Sequence, residues 1–131
     1  MSAPINTFST SRLFAMLFAN DRDNEIHDLR GRDWIFAGGG DDLIFSDKGR
    51  DRIYGQGGDD RIESNNHDDF MVDGGAGKDA FQFQVDFGSM PSFREVDEDK
   101  TVIKVKDLES GEVVQRIIAK DVEHIEFHIV G

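Results

Sequence analysis

Ile26, Ile35, Ile44, Ile53, Ile62 and Met71 stand nine residues apart, and this spacing constrains the fold of the chain more than any other feature. A helix returns to one face about every 3.6 residues and a strand about every two, so an apolar period of nine belongs to a repeating coil. Two residues before each apolar position stand Asn24, Asp33, Asp42, Asp51, Asp60 and Asp69, and two before those stand Arg22, Gly31, Gly40, Gly49, Gly58 and His67. A further copy, Gly74-Gly75-Ala76-Gly77-Lys78-Asp79-Ala80-Phe81, keeps the glycine, acid and apolar columns but is offset by one residue, which implies a bulge near Asp73.

In each copy the glycine-rich part can turn tightly and expose backbone carbonyls, while the residues around the apolar position form a short strand. If each copy is half a coil, loops eighteen residues apart stack on the same edge. Asp33, Asp51 and Asp69 then form one column, and Asn24, Asp42, Asp60 and Asp79 the other. Two stacked carboxylates with glycine-loop carbonyls give about six oxygens, a set that suits calcium and not zinc or copper. The chain carries 27 acidic and 15 basic residues, a net charge of -12, and such an excess repels itself unless a cation neutralises it. The same charge argues against nucleic acid and anionic lipid as partners. With no cysteine, disulfides and thiolate zinc sites are excluded, and a thin two-sheet core needs another source of stability.

The candidate metal-binding residues are therefore Asn24, Gly31, Asp33, Gly38, Gly40, Asp42, Gly49, Asp51, Gly55, Gly57, Gly58, Asp60, Asp69, Gly75, Gly77 and Asp79. Neighbouring pairs allow up to about five calcium ions. Asp42 with Asp60 is best supplied with glycine. Asp51 with Asp69 is weaker because Ser64 to Asp69 contains no glycine, and Asn24 with Asp42 has lost one carboxylate.

The copies Ala37-Gly38-Gly39-Gly40-Asp41-Asp42-Leu43-Ile44-Phe45 and Gly55-Gln56-Gly57-Gly58-Asp59-Asp60-Arg61-Ile62-Glu63 resemble the RTX, or hemolysin-type calcium-binding, repeat Gly-Gly-x-Gly-x-Asp-x-U-x with U apolar. The resemblance covers about half of the chain. It implies an all-β fold, a parallel β-roll or RTX solenoid, with calcium held between stacked loops. It also implies an extracellular protein exported by type I secretion, unfolded in low calcium and folding on sites of roughly 10⁻⁴ to 10⁻³ M. The leading expectation is a secreted, non-catalytic calcium-binding module. The alternative is a calcium-dependent polysaccharide-binding or accessory module of a larger secreted enzyme, adhesin or toxin.

The flanks divide the chain into residues 1–19, 20–83 and 84–131. Ser9, Thr10 or Ser11 can cap an amino-terminal helix with an apolar stripe of Leu13, Phe14, Met16, Leu17 and Phe18. Residues 1–20 lack the basic region of a secretory leader, and the apolar stretch there is too short to span a bilayer. Beyond Gln84 the chain reads as strands over Thr101–Lys106, Val113–Ile118 and Val122–Val130, a carboxy-terminal cap with a turn at Glu109–Glu112. Trp34, Phe36, Arg52, Tyr54, Phe70 and Val72 point outward from one sheet, an aromatic face to be covered by a flank, by self-association or by a ligand such as a sugar. The other sheet turns Glu25, His27, Leu43, Phe45, Arg61, Glu63, Ala80 and Gln82 outward. His124, Glu126 and His128 share one face of the last strand, a spacing read as strand alternation and not as a zinc site. No catalytic constellation emerges.

Overall fold

The computed structural model describes residues 6–10, 14–28, 31–46, 49–65, 68 and 70–131. The described residues form thirteen strands and no helix: β1 (Asn6–Thr10), β2 (Phe14–Phe18), β3 (Asn24–Asp28), β4 (Arg32–Phe36), β5 (Leu43–Ser46), β6 (Arg52–Tyr54), β7 (Arg61–Ser64), β8 (Phe70–Asp73), β9 (Ala80–Asp86), β10 (Ser89–Asp97), β11 (Lys100–Asp107), β12 (Val113–Lys120) and β13 (His124–Val130). Accordingly, no helix among them is long and apolar enough to cross a membrane.

From β1 to β10 successive strands alternate between two sheets, as a repeat that makes half a coil requires. One sheet runs β1-β3-β5-β7-β9-β13 and the other β2-β4-β6-β8-β12-β11-β10. Pairing from β1 to β9 and from β2 to β8 is parallel throughout, with Ile26 beside Ile44 beside Ile62 and Ile35 beside Ile53. This arrangement is consistent with a β-roll. Ile26, Ile35, Ile44, Ile53, Ile62, Val72 and Phe81 are each 0% exposed and fill the space between the sheets. Burying each such side chain contributes about 1.5–3 kcal/mol, and one residue per strand is a thin supply.

The expected amino-terminal helix is replaced by β1 and β2. Phe8 stands beside Ile26 and Leu17 beside Ile35, so the nine-residue apolar column runs two copies further upstream without its glycines or acids. A helix would leave the N–H and C=O groups along β3 and β4 unpaired, whereas two strands complete both sheets. Ser11 and Leu13, assigned to that helix, lie outside the described residues.

The register slip also falls elsewhere than expected. Ile53 pairs with Val72 and Ile62 with Phe81, each nineteen residues on, so the extra residue lies in the glycine-free loop before β8 and not near Asp73. Met71 therefore turns outward and is half-buried, while Phe70 and Val72 turn into the core. Phe70 sits edge-on to Phe81 at 5.6 Å between ring centres.

The carboxy-terminal strands prolong both sheets. β12 adds parallel to β8, with Ile117 beside Phe70, and β13 adds parallel to β9, with Phe127 beside Phe83. β10, β11 and β12 form an antiparallel meander on that end, and Phe93 joins Phe83 and Phe127 in an aromatic group with ring centres 5.9–6.4 Å apart. The predicted turn closes on Asp107, whose Oδ1 accepts the N–H groups of Glu109 and Ser110 at 2.8 Å.

The slip has a testable consequence. In calcium-saturated denaturant titrations, Phe70→Ala should cost about 3–5 kcal/mol. Met71→Ala should cost less than about 1 kcal/mol, because its side chain is not in the core.

Candidate metal centre

On one edge of the two sheets the loops leading into β3, β5, β7 and β9 stack, and a chain of hydrogen bonds links them. The N–H of Asn24 donates to Asp42 Oδ1 (2.7 Å), that of Asp42 to Asp60 Oδ1 (2.9 Å), and that of Asp60 to Asp79 Oδ1 (2.8 Å). Each acid thus holds the backbone of the preceding coil. All four side chains are buried, between 1% and 2% exposed.

The second oxygen of each carboxylate is the unusual one. Asp42 Oδ2, Asp60 Oδ2 and Asp79 Oδ2 are buried and have no hydrogen-bond partner. A buried acceptor without a partner costs about 1–3 kcal/mol, and more when charged. Burial accordingly raises the carboxyls of Asp42 and Asp79 to about 6 and that of Asp60 to about 8, the charges of Asp42 and Asp79 adding to the effect at Asp60. Three inward oxygens of high proton affinity, flanked by backbone carbonyls, form an all-oxygen donor set, which fits a hard cation such as calcium.

Asn24 differs in its second atom: its Oδ1 is likewise buried without a hydrogen-bond partner, but the other end of the amide is a donor. Its side-chain Nδ2 donates to the carbonyls of Asn20 (2.9 Å) and Ala37 (3.1 Å). An amide N–H₂ here satisfies carbonyls of two successive loops by hydrogen bonding, without any positive charge.

The glycines explain how loops come this close. Gly38, Gly40, Gly58, Gly75 and Gly77 take φ between +79° and +103°, a region that side chains disfavour. A Cβ on Gly58 would meet the carbonyl oxygen of Gly40, and one on Gly77 the carbonyl oxygen of Gly58. Gln56 occupies the position of Gly38 and Gly75 with φ +69°, and its Oε1 accepts the Gly38 N–H at 2.7 Å. Gly57 differs, since it lacks a positive φ and its nearest neighbour, Gly39 Cα, is at ordinary contact distance, 3.7 Å.

On the opposite edge the described residues show one such pair. The N–H of Asp33 donates to Asp51 Oδ1 (3.0 Å), and Gly31 and Gly49 take φ +106° and +116°. Asp51 Oδ2 also accepts the Ser46 hydroxyl at 3.1 Å. Asp69 lies outside the described residues, and the slip sets Phe70 where a third acid was expected, beside Asp51. The N–H of Gly49 instead reaches Asp68 Oδ2 at 3.0 Å.

A second acidic column went unread in the sequence. The N–H of Asp41 donates to Asp23 Oδ1, that of Asp59 to Asp41 Oδ1 and that of Lys78 to Asp59 Oδ1, each at 2.8 Å. These exposed acids hold the following coil, whereas the buried acids hold the preceding one. The consecutive pairs Asp41-Asp42 and Asp59-Asp60 therefore clamp both neighbours, a role legible in the recurrence of Gly-Asp-Asp.

The aromatic face is not covered by the described flanks, which extend the sheets. Its rings stack on one another: Phe18 on Phe36 at 4.8 Å and Phe36 on Tyr54 at 4.9 Å, with Arg52 5.0 Å above Trp34. Phe70 and Val72, expected on this face, are in the core. Among the described residues no three His, Cys, Asp or Glu side chains converge as a metal group, so backbone oxygens must complete any metal shell on the acidic edge.

Residues 18–53 and 47–81 match the family model of the RTX calcium-binding nonapeptide repeat, with four copies. No curated protein and no solved structure matches the chain.

Two outcomes follow from this geometry. Gly58→Ala forces a side chain into a left-handed position under the Gly40 carbonyl, so it should lose more than about 1–2 kcal/mol of stability in thermal melts, while Gly57→Ala should stay close to wild type. With chelator present, the folded state binds more protons than the unfolded one, because its buried acids titrate at about 6 to 8 and not at 3.8. Circular dichroism in chelator should therefore show β-structure favoured in acid and lost as pH climbs through that window.

Proposed function

Residues 18–81 make this chain a member of the RTX calcium-binding repeat family, and on that premise we propose that it is a secreted, non-catalytic module that completes its fold by taking calcium between stacked loops. The observation that carries this reading is the set of buried second oxygens on Asp42, Asp60 and Asp79, each without a hydrogen-bond partner. A bound calcium supplies two positive charges to these oxygens and relieves their desolvation. The chain does the rest. Oδ1 of each acid fixes the spacing between coils, and the turns at Gly38, Gly40, Gly55, Gly58, Gly75 and Gly77 bring backbone oxygens of neighbouring loops together. Asp33 and Asp51, with Gly31 and Gly49, form the corresponding pair on the other edge.

Secretion follows the same physics. At net charge -12 and with a core of one apolar residue per repeat strand, the metal-free chain is poorly held, and the compact form is favoured where calcium reaches millimolar levels. Sites of roughly 10⁻⁴ to 10⁻³ M would load outside a cell and stay empty within it. The alternative of polysaccharide binding draws on Trp34, Phe36 and Tyr54. Those rings are half-buried against one another and beneath Arg52, and the reading of a calcium module stands without a sugar.

At a pH above the range in which the buried acids titrate, circular dichroism should show a large gain of β-structure when calcium is added to chelator-treated chain; an equally folded chain in excess chelator at that pH would overturn the proposal. In the same preparation, calorimetric titration should count more ions for Asn24→Asp than for wild type, by one, since the amide that bridges Asn20 and Ala37 is replaced by a carboxylate.

A further inference from the structure

The stacking of loop positions continues past the end of the repeats. The N–H groups of Ala19, Ala37 and Gly55 donate to the carbonyls of Phe36, Tyr54 and Asp73 at 2.8–2.9 Å, each joining one loop to the end of the next strand in its sheet. Gly74 makes the same bond at 2.8 Å, but to Lys120. Asp121 thus follows Lys120 as Gly74 follows Asp73, and it takes the next position in the column. The acid ladder continues in the same way: the N–H of Asp79 donates to Glu123 Oε1 at 2.8 Å, as that of Asp60 donates to Asp79.

The inward oxygens repeat as well. The direction in which a Cβ would leave Gly55 meets Asp60 Oδ2 and the Gly74 carbonyl, and the same direction from Gly74 meets Asp79 Oδ2 and the Asp121 carbonyl. Asp79 is 2% exposed, and this oxygen has no hydrogen-bond partner. Asp121 takes φ +50°, whereas Gly55 and Gly74 at the equivalent positions take no positive φ, so the cap enters the column by a turn of its own.

We propose that Asp79, the Asp121 carbonyl and the Glu123 carboxylate form a further calcium site, in which the strand β13 and the turn before it supply what another repeat would have supplied. The inference rests on the reading of calcium between stacked loops, extended to residues 121–123, which lie outside the matched repeats. Calcium at this position ties the last repeat to β13, so the ion stabilises the junction and not only the repeats. Glu123 is a ligand here in addition to its bond with the Asp79 N–H, and its second carboxylate oxygen is the one offered to the ion.

The test is calorimetric calcium titration of the 131-residue chain and of Glu123→Gln, which keeps a hydrogen-bond acceptor for Asp79 and removes the charge. The expected result is one ion fewer in the variant, with the remaining sites unchanged. Equal stoichiometry in the two proteins would overturn the junction site while leaving calcium binding by the repeats intact. If wild type binds no calcium at all, the underlying reading fails and this one with it. Should Glu123→Gln not fold, a crystal structure of the unaltered chain grown in calcium decides: an ion about 2.3–2.6 Å from carboxylate oxygens of both Asp79 and Glu123 is expected, and a junction without one overturns the site.

Discussion

A backbone N–H of one coil bonded to an aspartate of the next is the contact on which the rest of the structure depends. It sets the spacing along the acidic edge from Asn24 to Asp79, and it demands that each acid lie inside the fold, where its other oxygen loses water. Burying a charge in this way is unfavourable unless something positive lies against it. The column of isoleucines alone gives little with which to offset that cost. Neutralisation of the inward oxygens therefore favours this arrangement. Asn24 marks the end where an amide stands in place of the acid and donates to two carbonyls, and Glu123 the end where the ladder passes out of the repeats.

The two edges of the paired sheets differ, and one loop is responsible. Ser64 to Asp69 contains no glycine, and the register advances by one residue across it. Phe70 consequently takes the level at which an acid would stand beside Asp51 and packs on Phe81. From there the core changes character. Phe81 and Phe83 replace the single isoleucine per strand, with the partly buried Phe127 packed against them and the half-exposed Phe93 at their edge. The molecule thus passes from an end with ionic requirements to one with an ordinary hydrophobic core, and Asp79, Asp121 and Glu123 sit at the border.

Much of this was legible before any coordinates. The nine-residue recurrence of isoleucine, the acid two residues earlier and the glycine before that specify coils, an inward column and two acidic edges, because each is a local requirement repeated identically. The last three strands were readable from alternation and turn residues for the same reason, whereas Met90-Pro91-Ser92, which read as a loop, lies in β10. The amino-terminal segment misled. Phe14, Met16, Leu17 and Phe18 are compatible with a helix stripe, and only the open sides of β3 and β4 decide that they form a strand.

What the sequence by itself determined is the repeat and its chemistry: an apolar residue inward, an aspartate at the edge, a glycine where backbones touch. What only the tertiary structure decided is which residues meet across coils. A shift of one residue turns Met71 outward and Phe70 and Val72 inward, sets aromatic packing in place of an expected acid, and brings Glu123 to Asp79 across 44 positions. Side-chain identity is local, but the partner of a buried oxygen is set by register, and register is fixed only when every strand has found its neighbour.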